Sequence, residues 1–419
     1  MKILVIGAGA QGGPCTSILA RDPDVSRIIL GDIDTDLAQK VKTKVNSSKV
    51  SVQKVNAGDV DDIVQAAKGM DVIITLTLTA FNDNVMQAAL KTGAHYVDTS
   101  FGEPSLMDIC ARENMLGQII QQKPIGFDHE FKAAGLTAIA GCGASPGVIN
   151  VMARYLADKL DAVDAIRIRV GRRSTTPSQE VISAWQPTWS PFRALWGYAV
   201  EPTIFEDGRY TKHPIYSGYE DYRYPDPVGV IPLVYHQHQE PITLPHFIGK
   251  GIQYCDFKYT IDKNAGTLIK NGFASSAPVT VKGVQVAPID VLLAMVPKPG
   301  DTFLAETAES AGQPLTVAGR AAVEVSGRCG EEKVEYKVVY PISMYADGAE
   351  RRALFDRFGA SNIYVSLPAV AGAKMCLRSE APRGVIAAEC LDPLRFLKTM
   401  REMGAGVQFQ EFCTRHPVV

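Results

Sequence analysis

Gly7, Gly9 and Gly12 stand in the run GAGAQG, directly after the apolar segment KILVI at residues 2–6. Glycines at this spacing, between a strand and a helix, are what a main chain needs in order to hold a pyrophosphate. Gly7 permits the tight turn, Gly9 lets the backbone approach the phosphates, and Gly12 lets the helix lie close to the strand. The first helical turn then offers free N–H groups and the positive end of its dipole. Pro14 falls in that turn, where its missing N–H costs nothing. Asp32 follows Gly12 by twenty residues, at the end of a second apolar run, RIILGDI. A carboxylate there accepts from the ribose hydroxyls of NAD and repels the 2′-phosphate of NADP. Neither Ile33 nor Asp34 supplies the arginine that NADP would use. The expected cofactor is therefore NAD, with NADP less favoured, held by Gly7, Gly9, Ala10, Gln11, Gly12, Asp32 and Ile33. Asp59, after a third apolar run, either touches the adenine or caps the helix that follows it.

Ligands of a doubly wound sheet sit beyond the carboxyl ends of its strands. Three further stretches end there: Thr75–Thr79, Asp98–Ser100 and Gly143–Gly147. Thr75 and Thr77 either contact the cofactor's ribose or phosphate or satisfy strand backbone. Asp98 either binds a substrate amine or the nicotinamide ribose, or caps the turn after it; Ser100 has the same two roles open. Ser145, at a helix start, either caps that helix or helps receive an anionic group, and Asn150 lies within reach of the same place. Asp98, Ser100 and Ser145 are the candidates for the chemical step. An amino-acid substrate needs a cation for its carboxylate, for which the arginine fork is suited. Arg169, Arg172, Arg173, Arg193 and Arg223 are available, and Arg172 and Arg193 lie nearest an aromatic stretch at 174–250. Trp189 either walls that pocket or packs a core. His246 is either an acid–base group or structural. His236 and His238 put two imidazoles on one strand face with no third ligand at a suitable spacing, so no metal is expected.

These residues are positioned by an alternation of strands and helices over residues 1–145. Strands are expected at 2–7, 27–33, 50–57, 71–78, 94–100 and 135–143. Helices fall between them, one of them from Ser105 to Gln122. The pattern predicts an α/β fold: a Rossmann-type doubly wound parallel sheet covered on both faces. The texture changes after Pro146. AIRIRVG (165–171), QYCDFKYTI (253–261), AAVEVSGRC (321–329) and KVEYKVVYPI (333–342) suit a mainly antiparallel sheet. PLRFLKTMREMGAG (393–406) is an amphipathic helix stopped by glycine.

Composition narrows the class. A formal charge of −2 over 419 residues gives no nucleic-acid or acidic-membrane signal. The run DVIITLTLTA is far shorter than the ~20 residues of a membrane span. The first strand begins at residue 2, which leaves no room for a signal peptide. The eight cysteines include no C-x-x-C pair, which fits reduced thiols in the cytoplasm.

HYVDTS (95–100), GCGASPGVIN (141–150), EPITLPHFIG (240–249) and GVIAAECLDPLRFLKTMREMG (384–404) follow the glycine fingerprint in chain order. Together they resemble the saccharopine dehydrogenase family, which includes saccharopine reductase, lysine 6-dehydrogenase and carboxynorspermidine dehydrogenase. The resemblance implies a Rossmann domain (1–145), an inserted α+β substrate and oligomerisation domain (146–345), and a C-terminal segment (346–419) returning to the first. It implies homodimers or larger homo-oligomers, and NAD(P)-linked oxidation of a C–N bond of an amino acid or amine, or reduction of an imine. Several members carry an aspartate before the PG step, where this chain has Ser145. That departure favours a lysine 6-dehydrogenase-like activity. The alternatives are an imine-reducing condensing enzyme making an opine-like or carboxylated polyamine product, and a non-catalytic dinucleotide sensor or scaffold.

Overall fold

A computed structural model describes residues 1–101, 127–174, 185, 187, 190–296, 301–314, 317–342 and 347–416. The helix expected from Ser105 to Gln122 and the side chain of Trp189 lie outside the described residues.

The N-terminal strands form one seven-stranded sheet. Its order is Gly384–Ala387, Thr137–Ala140, His95–Asp98, Val72–Thr75, Lys2–Ile6, Arg27–Asp32 and Val50–Lys54. Every pairing in it is parallel. Ile3, Leu4 and Val5 are fully buried, as are Val72, Ile73 and Ile74. Burial on both faces is why these strands are continuous apolar runs rather than alternating ones. Each such side chain contributes roughly 1.5–3 kcal/mol. Helices Gly12–Arg21, Thr35–Val45 and Ser366–Leu377 pack on one face through Ile18, Leu19, Val41 and Val370. Helices Val60–Ala67 and Asn82–Thr92 pack on the other through Ile63, Ala66, Val85 and Met86. Strand order reverses between Lys2–Ile6 and Val72–Thr75, which opens the crevice where such sheets bind ligands.

A second sheet of nine strands follows. Its main path runs Glu220–Arg223, Val230–Tyr235, Tyr254–Thr260, Ala162–Ser174, Val317–Cys329, Glu332–Pro341 and Gln410–His416. Only the pairing of Tyr254–Thr260 with Ala162–Ser174 is parallel among the described strands. The C-terminal segment is divided between the two sheets. Gly384–Ala387 joins the first, whereas Gln410–His416 pairs with Glu332–Pro341 of the second. Helix Val148–Ala157 leads from the first sheet into the second. The residues at its start are the hinge of the site described next.

Candidate active site

The glycine loop has a different physical need at each position. Gly7 sits at φ +103°, where a side chain would be strained. A Cβ on Gly12 would lie 1.8 Å from the carbonyl oxygen of Gly7, so the helix reaches its position only with glycine there. A Cβ on Gly9 would meet nothing within 4 Å: the main chain is bare and open there. Asp32 is pinned at the crevice, its Oδ2 accepting from the Ala8 N–H at 2.6 Å and its Oδ1 from Asp34 N–H at 2.8 Å. Ile33 beside it is 64% exposed. The open backbone at Gly9 and the carboxylate fixed next to the loop fit a dinucleotide, with Gly7, Gly9, Ala10 and Gly12 toward its phosphates and Asp32 toward its ribose. Gln11 is partly committed elsewhere, its side-chain oxygen lying 2.8 Å from the Ser366 hydroxyl. Asp59 caps the Val60–Ala67 helix, with Oδ1 accepting from the N–H groups of Asp61 and Asp62. Thr75 is buried, its hydroxyl 2.9 Å from that of Thr77.

Asp98 does not present its carboxylate to the crevice. It is 2% exposed. Oδ2 accepts from the Tyr96 hydroxyl at 2.6 Å and from Asn82 Nδ2 at 3.0 Å, and Oδ1 from the Gly141 N–H at 2.6 Å. These bonds fasten the end of its own strand to the loop after Thr137–Ala140. Burial pushes its carboxyl up to about 7 against those donors. Of the roles left open for Asp98, these bonds show a structural one: its carboxylate holds the loop from which Ser145 projects.

That loop is built around Gly147. The Gly143 N–H donates to Pro146 O, and the Val148 N–H to Gly143 O, each at 2.9 Å. Gly147 has φ +133°, and a Cβ on it would lie 1.9 Å from Gly143 O. The closed turn sets Ser145 against helix Glu240–Ile248. The Ser145 hydroxyl donates to Glu240 Oε1 at 2.5 Å, and Glu240 Oε2 pairs with Nδ1 of His238. His238 stacks flat on Phe257, with ring centroids 4.1 Å apart. Ser100 joins the same face, donating to Gln239 Oε1 at 3.3 Å. Behind it, Asn150 Oδ1 accepts from the Gly147 N–H at 2.9 Å, and its Nδ2 donates to Glu389 Oε2 at 3.0 Å. Burial pushes the Glu389 carboxyl up to about 7, aided by the nearby Glu240. Its Oε1 makes no hydrogen bond among the described residues.

An aromatic wall joins this group to the two favoured arginines. His236, Tyr198 and Tyr259 lie edge or tilted to one another, with His236 centroids 4.5 and 5.2 Å from the two tyrosine rings. Arg172 donates to the Tyr259 hydroxyl at 3.3 Å, and the Arg193 guanidinium lies 4.7 Å over the Trp196 ring. Burial, with His238 and Arg193 nearby, holds His236 well below the usual imidazole range, so it is neutral. His246 is not brought into the group: it is exposed, in the last turn of the helix whose first turn carries Glu240. Arg169 is buried in an ion network with Asp256 and Glu220. Among the described residues no three His, Cys, Asp or Glu side chains converge to hold a metal.

Ser100, Ser145 and Asn150 are therefore brought together with Gln239, Glu240 and Glu389, which the motifs did not single out, and with His238, which the sequence singled out only as one of a histidine pair. Glu240 opens EPITLPHFIG and Glu389 lies in GVIAAECL, segments that carry the family resemblance. A charged residue inside an otherwise apolar segment was the available signal.

Residues 3–139 match the model of the saccharopine dehydrogenase NADP-binding domain, and residues 143–405 that of the saccharopine dehydrogenase C-terminal domain. The chain belongs to the saccharopine dehydrogenase family. It is a saccharopine dehydrogenase-like NAD(P)-dependent oxidoreductase. Carboxynorspermidine synthase of Vibrio alginolyticus is 26% identical over 100% of this chain and 99% of its own length. Carboxyaminopropylagmatine dehydrogenase of Synechocystis is 24% identical over 96% of each. Saccharopine dehydrogenase (L-Glu forming) of Saccharomyces cerevisiae superposes with a TM-score of 0.65 at 12% identity, over 99% of both chains. This last likeness is one of fold. The two-sheet architecture is thus the family's, and no helix among the described residues is long and apolar enough to cross a membrane.

Proposed function

We propose that this protein reduces the imine formed between a primary amine and an aldehyde carrying an amino-acid or carboxylate group, giving a carboxylated secondary amine of the polyamine type. The observation that carries the reading is the Ser145–Glu240–His238 chain, on the loop beyond the sheet's carboxyl edge. Full-length similarity to carboxynorspermidine synthase and carboxyaminopropylagmatine dehydrogenase supports the polyamine class. Bound NAD(P)H supplies the hydride. Ser145 places its hydroxyl at the imine nitrogen, and Glu240 and His238 move the proton that this nitrogen gains as the carbon is reduced. When amine and aldehyde condense, the same chain helps water depart. Arg172 and Arg193 hold the carboxylate. Asp98 keeps the Ser145 loop in place, and Asn150 with Glu389 braces Gly147. Oxidation of a single amine, the lysine 6-dehydrogenase-like activity, uses the same relay in reverse. Incubating the protein with NADH or NADPH, an aldehyde acid and a diamine at 340 nm tests the proposal, with NAD plus lysine as the reverse arm. Turnover only in the first arm supports imine reduction; turnover only in the second assigns amine oxidation.

Cofactor choice, location and assembly belong to the same proposal. NAD is preferred, because Asp32 occupies the place where a 2′-phosphate would need a cation. We place the protein in the cytoplasm; the described cysteines are all unbridged. Residues 1–145 bind the cofactor, 146–345 supply the substrate side, and the chain acts as a homodimer. The detached hairpin Val279–Val281/Val284–Val286 supports the dimer. Its register sets Val279 against Val286 and Val281 against Val284, so four valines share one face. Val279, Val281 and Val284 are 49%, 53% and 61% exposed. A lone two-stranded sheet is marginal in water. The surrounding arm, 271–296, carries one lysine (Lys282) and one aspartate (Asp290), so two copies meet without like-charge repulsion. Light scattering should give twice the 45.3 kDa chain mass. Val281→Glu with Val284→Glu should halve it, and a wild-type monomer would reject the dimer.

A further inference from the structure

A cavity of about 240 Å³ lies beside the Ser145 turn. Ala144 and Val148, on either side of that turn, form one wall. The end of strand Glu332–Pro341, through Tyr340 and Ile342, forms the second, and the entry to helix Ser366–Leu377 closes the third through Leu367. The cavity therefore stands where the two sheets meet, next to the residues that hold Glu240.

Its lining is chemically lopsided. Most described side chains that face it are aliphatic, and neither lysine nor arginine is among the described lining residues. Among the described lining residues the one carboxylic acid is Glu350, exposed in the first turn of helix Gly348–Phe358. The Glu350 carboxylate makes no hydrogen bond or ion pair among the described residues, although its N–H is held by Asp347 at 3.0 Å. Tyr340 is 3% exposed, yet its hydroxyl has no hydrogen-bond partner among the described residues. Buried hydroxyls are normally partnered. One that lines a cavity without a partner points to a ligand that supplies it.

A pocket with no cation among its described lining residues does not suit a carboxylate or phosphate. An apolar wall with one carboxylate at its rim suits an aliphatic stem that ends in a positive charge. We infer that this cavity is the subsite for the distal arm of the amine substrate, with the methylene chain along Leu354 and Leu367 and the terminal ammonium or guanidinium at Glu350. The Tyr340 hydroxyl meets a nitrogen or ordered water within the arm. The subsite rests on the imine-reducing reading and adds to it: it makes the enzyme selective for diamines over monoamines and sets the accepted length.

Calorimetry on the NADH-loaded protein tests this with 1,4-diaminobutane and its singly charged isostere n-pentylamine. Glu350→Gln, at an exposed position, is expected to weaken the diamine about two- to fivefold, the range of an exposed ion pair, and to leave n-pentylamine unchanged. Leu354→Trp is expected to weaken both, and Tyr340→Phe serves as a milder variant should the tryptophan disturb folding. Equal effects of Glu350→Gln on both amines, or none on either, overturn the subsite. Turnover measurements separate this from the underlying reading. Diamine binding with the expected signature but no imine reduction upholds the subsite and rejects the activity. Imine reduction with an unchanged KM for the diamine in Glu350→Gln upholds the activity and rejects the subsite.

Discussion

The Ser145 hydroxyl donates to Glu240 Oε1 at 2.5 Å, across 95 residues of chain. Glu240 is fully buried, and its second oxygen pairs with His238 Nδ1. One carboxylate thus links a loop of the parallel sheet to a histidine stacked on the second sheet. If that chain moves the proton, its members contribute unequally. Glu240→Gln should lower kcat by roughly 10²–10⁴ with little change in NADH affinity, as expected for loss of a positioned acid–base group. Ser145→Ala should lower kcat by a smaller factor. Steady-state kinetics with cofactor titration measures both. An unchanged kcat in Glu240→Gln would remove the relay from the mechanism.

The pinned Asp32 carboxylate makes cofactor choice testable. Wild type should use NAD at least ~10-fold better in kcat/KM than NADP. Asp32→Ser with Ile33→Arg should reverse the order, because the exposed Ile33 position can present a guanidinium to a 2′-phosphate. A wild-type preference for NADP would contradict the role given to Asp32.

Gly12→Ala should abolish cofactor binding. Its Cβ would fall 1.8 Å from Gly7 O, which forces the helix off the strand and opens the phosphate loop. Gly9→Ala should be milder in the unliganded fold, because nothing lies within 4 Å of its Cβ, yet still weaken NADH. Fluorescence titration with thermal melts of both variants separates the two effects.

Glu389 gives a pH signature. Its carboxyl is raised from 4.5 to about 7 by burial. A group raised in this way stabilises the fold fully below its unfolded value and loses that contribution as pH rises through the folded one. The melting temperature should therefore fall between about pH 4.5 and 7 and level off above. Glu389→Gln should flatten that slope. Asp98 shares the direction, so some slope should survive. Asp98→Asn should itself cost about 1–3 kcal/mol, because an amide group would face the N–H and O–H donors that Asp98 now accepts from.

The local parts of this molecule were readable from sequence. The glycine loop and Asp32 lie within one strand–helix–strand unit, and their spacing alone fixes their relation. The strands at 2–6, 72–75 and 95–98 announced themselves because burial on both faces makes them unbroken apolar runs. The site's acids were not readable in the same way. Glu240 meets Ser145, and Glu389 meets Asn150 239 residues away, only after two sheets have docked, and no periodicity records that docking. His246 drew attention as a titratable residue in the right segment, while the acid six residues before it does the contacting. Asp98 was located correctly at a strand's carboxyl end, but not the three donors that consume its carboxylate. The final strand, Gln410–His416, crosses to the second sheet, a pairing that its exposed, mixed-polarity sequence does not advertise.

The most direct test of the account is absorbance at 340 nm, with purified protein, NADH, an aldehyde acid and 1,4-diaminobutane, compared with Glu240→Gln under the same conditions. NADH consumption that requires both aldehyde and amine, and that falls at least ~100-fold in the variant, is the predicted result. Consumption that proceeds without the amine, or equally well in Glu240→Gln, would contradict imine reduction through the Ser145–Glu240–His238 chain.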